Sequence, residues 1–161
     1  MQSASAGGSR GGERAARLEM LRRQCRERGL RLTVQRRAVL EAVLDLPDHP
    51  NADQVYDLVA RRVAGISRTT IYRALDHLVA TGVITRACHP GRIARYDGRT
   101  DKHHHLVCMQ CDRMVDISDP SLDSLPLPDT RPHDFEVRDF RVQLRGLCGR
   151  CRKQRRKEAS E

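Results

Sequence analysis

Asp97-Gly98-Arg99-Thr100-Asp101-Lys102-His103-His104-His105-Leu106-Val107-Cys108-Met109-Gln110-Cys111-Asp112-Arg113-Met114-Val115-Asp116 is the stretch on which the reading of this chain turns. Three consecutive histidines, a Cys-x-x-Cys pair and flanking aspartates fall within one hairpin's worth of residues. No ordinary surface needs that density of metal-binding donors. The cysteine pair recurs with the same spacing as Cys148 and Cys151. Two intervening residues let a tight knuckle aim both sulfurs at one ion, and two knuckles complete the tetrahedral four-sulfur shell that zinc prefers. Four unliganded core cysteines, or two disulfides, are the competing readings. Disulfides require an oxidising compartment, and the sequence shows no secretory leader. The expectation is therefore structural zinc in a cytoplasmic protein.

The histidines form a different kind of site. His103 and His105 are two apart, so on an extended strand they share a face while His104 points the other way. Imidazole with carboxylate suits iron, manganese or zinc. Two metal sites are implied, one structural and one adjustable.

The rest of the chain bounds what such a module serves. At 161 residues there is room for one domain or two small ones. With no Trp, three Tyr and two Phe, the core must be mostly aliphatic. A net charge of +9 favours a polyanionic partner. No apolar run approaches the roughly 18 residues of a membrane span, so no membrane partner is expected. Residues 1–12, rich in Gly, Ser and Ala, read as a disordered tail. The basic run Arg150 to Lys157 reads as a solvated tail in preference to a phosphate-binding arm.

Between these ends the pattern is helical first. Leu18, Leu21 and Cys25 mark an amphipathic helix from about Glu13 to Arg28, stopped by Gly29. Thr33 caps a second over Val34 to Leu46, ended by Pro47. Asn51 and Gln54 make a capping box for a third, running to about Val63. Ser67 caps a fourth over Arg68 to Ala80, with Gly82 just past its end. Its outer face carries Arg68, Thr69, Tyr72 and Arg73, groups that reach phosphates and base edges in a major groove. A basic hairpin follows, Val83 to Cys88 and Ile93 to Asp97 around the turn His89-Pro90-Gly91-Arg92. Short helices followed by such a hairpin describe a winged helix, with Arg86, Arg92 and Arg95 placed to lie along a DNA backbone.

Beyond Gly98 the pattern turns to strands. His105 to Ile117 reads as a hairpin bent at its cysteine knuckle, and Pro120 to Leu125 as one helical turn. Leu127 to His133 is broken by prolines and reads as loop, and Phe135 to Leu147 as an alternating strand with a bulge at Asp139. A sheet this small needs both a zinc clamp and a partner chain, and a two-fold dimer would suit a palindromic operator in double-stranded DNA. The fold class expected is α+β: a winged-helix DNA-binding domain over 13–97, a hinge at 98–101, a small α/β dimerisation domain with the four-cysteine zinc site over 102–151, and a basic tail over 152–161.

Four stretches, Leu32-Thr33-Val34-Gln35-Arg36-Arg37, Thr69-Thr70-Ile71-Tyr72-Arg73-Ala74-Leu75, His103 through Cys111, and Gly146-Leu147-Cys148-Gly149-Arg150-Cys151, resemble the Fur family of metal-dependent repressors. They run in family order and span about Leu18 to Cys151. The resemblance implies zinc on Cys108, Cys111, Cys148 and Cys151, and a regulatory ferrous or manganous ion on His49, Asp97, His103, His105 and Asp116. It implies a homodimer on DNA. Aspartate at both acidic positions is similar to the peroxide-sensing branch. In that branch, peroxide acting on the iron form oxidises a ligand histidine, here His49 or His103, and releases DNA. Lys102 and Phe140 stand where iron-type members carry further histidine ligands, so that additional metal site is expected to be missing. Cys88 keeps a zinc-responsive regulator open as an alternative. A zinc hydrolase or deaminase is disfavoured, because no His-Glu-x-x-His occurs and no Glu neighbours the cluster. A zinc-ribbon nucleic-acid module would leave His49, Asp97 and Asp116 without purpose.

Overall fold

Leu30 donates its backbone N–H to the Cys25 carbonyl at 2.8 Å, and Gly29 donates to that of Arg26 at 3.1 Å. With Gly29 at φ +66°, this is the paired closure that ends a helix on a left-handed residue. The same closure recurs around Gly82, φ +66°, where Val83 bonds to Leu78 and Gly82 to Val79. The intervening starts are equally local. Thr33 accepts from the N–H of Arg36, Asn51 and Gln54 cap each other reciprocally, and Ser67 accepts from Thr70.

The computed structural model describes residues 10–87 and 93–159. Contacts divide the chain into two compact units, Met1–Thr100 and Asp101–Glu161. The first holds α1 (Arg10–Glu27), α2 (Val34–Asp45), α3 (Ala52–Ala60) and α4 (Arg68–Ala80), then β1 (Thr85–Ala87) paired antiparallel with β2 (Arg95–Asp97). Its core is aliphatic: Leu21, Val39, Leu40, Val55, Val59, Ile71, Leu75, Leu78 and Ile84 are fully buried, and Tyr96 is nearly so. Helices α2, α3 and α4 thus present their apolar stripes to one interior, which is the helical half of a winged helix, and β1 and β2 are its wing strands.

The second unit holds β3 (His104–Cys108), β4 (Met114–Ile117), the short α5 (Pro120–Asp123), a 3-10 turn at Arg131–His133, β5 (Gln143–Gly146) and α6 (Gly149–Glu158). The sheet order is β4-β3-β5, antiparallel on one side of β3 and parallel on the other. Among the described residues its buried apolar side chains are few, chiefly Val107 and Met114 beside Cys108 and Cys151.

Four sequence expectations change. The strand expected over Phe135 to Leu147 is confined to Gln143–Gly146. Gln143 lies opposite His105, near the start of β3, so the residues before Val142 run past the end of the strand they would pair with. The expected tail beyond Arg150 is instead helix α6, which begins inside the second cysteine knuckle. The third helix ends at Ala60, three residues early. Of the expected disordered tail, residues 10–12 belong to α1, and 1–9 lie outside the described residues, as does Cys88 through Arg92.

Asp45, at the end of α2, joins Arg14 of α1 to Arg62, the latter at 2.9 Å. Burial opposes its charge, but hydrogen bonds from Arg14 and Arg62 outweigh it and hold the carboxyl below its ordinary value of 3.8. A lowered folded-state pKa contributes stability that is complete above the unfolded value and fades as pH falls through the folded one. Asp45→Asn is expected to lose roughly 1 kcal/mol of unfolding free energy at pH 7. Urea titrations of variant and native chains should converge as pH drops below 3.8.

Candidate metal centres and nucleic-acid interface

Cys108 closes β3 and Cys111 follows in a knuckle whose turn is completed by Asp112 at φ +56°. Cys148 is the N-cap residue of α6 and Cys151 lies in its first turn. One sulfur from each of these four residues lies within 4.8 Å of the others. The Cys111 and Cys148 sulfurs are 3.7 Å apart. Four thiolates on zinc at roughly 2.3 Å stand about 3.8 Å apart, whereas a disulfide needs about 2.05 Å. The geometry fits zinc and not a bridge.

Electrostatics agree. The N–H of Cys148 donates to the Cys108 sulfur at 3.3 Å. That bond, with others from the Cys111 and Gln110 backbone, pulls the Cys108 thiol down to about 6. The Cys151 N–H similarly lowers Cys148. Burial, and then the neighbouring sulfurs, push Cys151 up to about 12. Four thiolates this close repel one another, and a divalent cation at their centre removes the conflict.

The histidine cluster follows the strand alternation. His103 and His105 turn their Nε2 atoms toward each other at 3.1 Å. Two nitrogens bound at about 2.05 Å to one ion stand roughly 2.9 to 3.4 Å apart, from octahedral to tetrahedral geometry. The Asp116 carboxylate, directly across the ladder from His105, lies 3.7 and 3.8 Å from the two Nε2 atoms. His103 Nδ1 donates to the Asp101 carbonyl at 2.8 Å, which leaves Nε2 as the lone-pair face a metal takes. These residues are buried except Asp116, which is partly exposed.

His104 indeed points away: its Nδ1 accepts from the Val142 N–H at 3.0 Å and its ring stacks on Phe140. Lys102 Nζ lies 3.9 Å over the Phe140 ring and 3.5 Å from Asp123. The positions of the additional histidine pair thus carry a cation–π contact.

In the first unit, His49 Nε2 stands 3.4 Å from Asp97 Oδ2, both buried. Asp97 ends β2 and its Oδ1 accepts from the Arg99 N–H at 2.6 Å. His49 is held less comfortably. It and Asp48 both adopt positive φ, 56° and 59°. Arg95 donates to the His49 carbonyl at 3.1 Å, and the Tyr96 N–H to that of Pro50 at 2.9 Å, so the wing strand pins the loop. Strain of this kind gathers at functional loops.

A profile described as the ferric uptake regulator family matches residues 27–145. The chain belongs to that family. Membership makes it a metal-responsive, DNA-binding regulator and not an enzyme. It is 30% identical over 129 residues to a peroxide-responsive repressor PerR of Staphylococcus epidermidis, covering 80% of this chain and 86% of that protein. A similar repressor of Staphylococcus aureus is 31% identical over 126 residues, covering 78% and 85%. A solved zinc-bound manganese uptake regulator is 29% identical with TM-score 0.63, covering 80% of this chain and 98% of that one. No described helix is long and apolar enough to cross a membrane.

On α4, the helix expected to read DNA, Thr69, Tyr72 and Arg73 are exposed. Arg68 is exposed but ion-paired to Asp53 and lies 4.3 Å over the Tyr56 ring. Arg86, on β1, pairs with Asp76 of α4 at 2.7 Å. Arg92 lies outside the described residues. Gln35 and Arg36, from the first turn of α2, line one cleft with Thr70 and Arg73. Sequence spacing did not show that grouping, because nothing local marks two helix starts so far apart in the chain as sharing a surface.

Cys111→Ser is expected to abolish one tightly held zinc per chain in elemental analysis. It should also lower the thermal midpoint of the second unit, which has little apolar interior to replace the clamp.

Proposed function

We propose that the chain is a dimeric repressor that grips a palindromic operator when one ferrous or manganous ion joins its two half-sites, His49 with Asp97 and His103, His105 with Asp116. Zinc remains in the Cys108, Cys111, Cys148 and Cys151 cage. Peroxide, acting on the iron form, releases the DNA. The carrying observation is the convergence of the His103 and His105 Nε2 atoms at 3.1 Å with a carboxylate in reach, a donor set that suits iron and manganese. On this reading residues 13–97 are the DNA-binding domain, 98–101 the hinge and 102–151 the dimerisation domain. The cytoplasm is the compartment that suits four reduced thiols.

If His49 and Asp97 held the same ion as His103, His105 and Asp116, these ligands would favour an arrangement of the two domains in which both recognition helices of a dimer meet successive major grooves. The ion's effect is limited to its difference in affinity between arrangements. Thr69, Tyr72 and Arg73 supply contacts from α4, with Arg68, Arg86 and Arg92 on phosphates once the pairs with Asp53 and Asp76 exchange. Dimerisation is supported by the sheet. Val115 and Leu144 flank Leu106 in register, and the three side chains are exposed by 37%, 43% and 40% in the single chain. Such an apolar row calls for a cover, and a second copy provides one.

Bound ferrous iron supplies the one-electron chemistry that makes peroxide an oxidant of its own ligands. This chain's part is to place buried imidazoles there. Relatives named peroxide-responsive repressors support that choice over plain metal sensing.

Band shifts on operator DNA should show manganous or ferrous ion raising affinity by about tenfold or more. The pair Asp97→Ala with His105→Ala should remove that response. Equal affinity with and without metal in the native chain would end the proposal. After peroxide, mass spectrometry of the iron form should find oxygen added to His49 or His103, with the manganese form spared. An unmodified iron form would leave a metal sensor alone, and a response confined to zinc would make it a zinc regulator.

A further inference from the structure

Charge in the second unit is segregated. Residues 101–148 carry six Lys and Arg against nine Asp and Glu, whereas Gly149–Glu158 carry six against one. That run is α6, and Cys151 is the buried residue of a helix whose other side chains are exposed. Arg150 lies inside the second cysteine knuckle, between Cys148 and Cys151. Beyond it the helix presents Arg152, Lys153, Arg155, Arg156 and Lys157, and Glu158 accepts from Gln154 at 3.2 Å.

This helix is built against its own stability. Ten residues fall short of the about 12 to 15 at which isolated helices become marginal in water. Arg152 with Arg156, and Lys153 with Lys157, place like charges at i,i+4, where they repel. Its anchor is the cysteine cage at its first turn. Two further features narrow what would neutralise it. Apart from Cys151 the helix has no apolar stripe, so it lacks the face a membrane-lying helix buries. Its cations are mostly arginine, whose planar fork matches phosphate.

We infer that α6 is a second, sequence-independent DNA contact, a zinc-anchored basic helix that binds the duplex backbone through Arg152, Lys153, Arg155, Arg156 and Lys157. It rests on the DNA-binding reading above, and adds affinity and salt dependence to the base contacts made from α4. Phosphates relieve the i,i+4 repulsion, so helix order and DNA binding reinforce each other.

The full chain with R155Q, R156Q and K157Q, at the end of α6 away from Cys151, tests this. Gln keeps helix propensity, and zinc content with thermal midpoint verifies folding. A control with R131Q, R138Q and R141Q removes the same charge from exposed positions elsewhere in the unit. Each phosphate contact contributes about 0.9 to the slope of log affinity against log salt. The α6 variant is expected to lower that slope on duplex DNA by about two to three while the control leaves it unchanged. Circular dichroism should show helicity rising on adding duplex to the native chain and less so in the variant. Equal slopes in all three proteins would overturn the inference. So would an α6-dependent preference for single-stranded RNA or phosphatidylglycerol vesicles over duplex at the same salt. An unchanged slope with an intact metal response defeats α6 alone. A native chain whose DNA affinity ignores metal defeats the repressor reading, while a slope difference between the two variants still supports α6.

Discussion

Four sulfurs held within 4.8 Å of one another set the terms for the second unit. Its apolar interior is small, so sheet and helix have little hydrophobic burial to hold them together. The cage substitutes for that burial by linking elements distant in sequence. Cys108 ends β3, Cys111 turns the chain toward β4, and Cys148 with Cys151 start α6 just after β5. Met109 donates to the Gly146 carbonyl at 2.8 Å, so the knuckle is stitched to the neighbouring strand by backbone as well. Without a cation the arrangement is self-repelling, with Cys108 driven toward thiolate while Cys151 is driven away from it. A cation turns the same proximity into cohesion.

The first unit is stabilised in the opposite way, by aliphatic burial and local capping, and its chemistry sits at the edge of that core. Asp97 belongs to β2, whose register places it opposite Thr85 and places Tyr96 opposite Arg86. Arg86 reaches Asp76 on α4. The loop bearing His49 is tied to the same strand through Arg95 and Tyr96. One three-residue strand therefore borders both the His49–Asp97 pair and, through its partner strand, the Arg86–Asp76 pair on α4.

The starts of α2, α3 and α4 and the ends of α1 and α4 were legible because they depend on neighbours in sequence. Ser67, Asn51 and Thr33 each bond within three residues, and Gly29 and Gly82 end their helices within one turn. The strand alternation of His103, His104 and His105 was legible for the same reason, since the period of two follows from the pleat. Phe135 to Val142 was not. Its alternation is a strand pattern, but a strand also needs a partner, and β3 begins too late to provide one.

The residue types and spacings alone determined that four cysteines form two knuckles, that His103 and His105 share a face, that α2, α3 and α4 start at Thr33, Asn51 and Ser67, and that α1 and α4 stop at Gly29 and Gly82. These are short-range consequences of backbone geometry and donor chemistry. Only tertiary structure decided how closely the two knuckles approach, that Asp116 stands opposite His105, that Arg68 and Arg86 are held by Asp53 and Asp76, and that the basic run after Cys148 is a helix growing from a cage. Each of these depends on strand register or on contact between residues far apart in the chain, and one-dimensional spacing does not encode the distance between them.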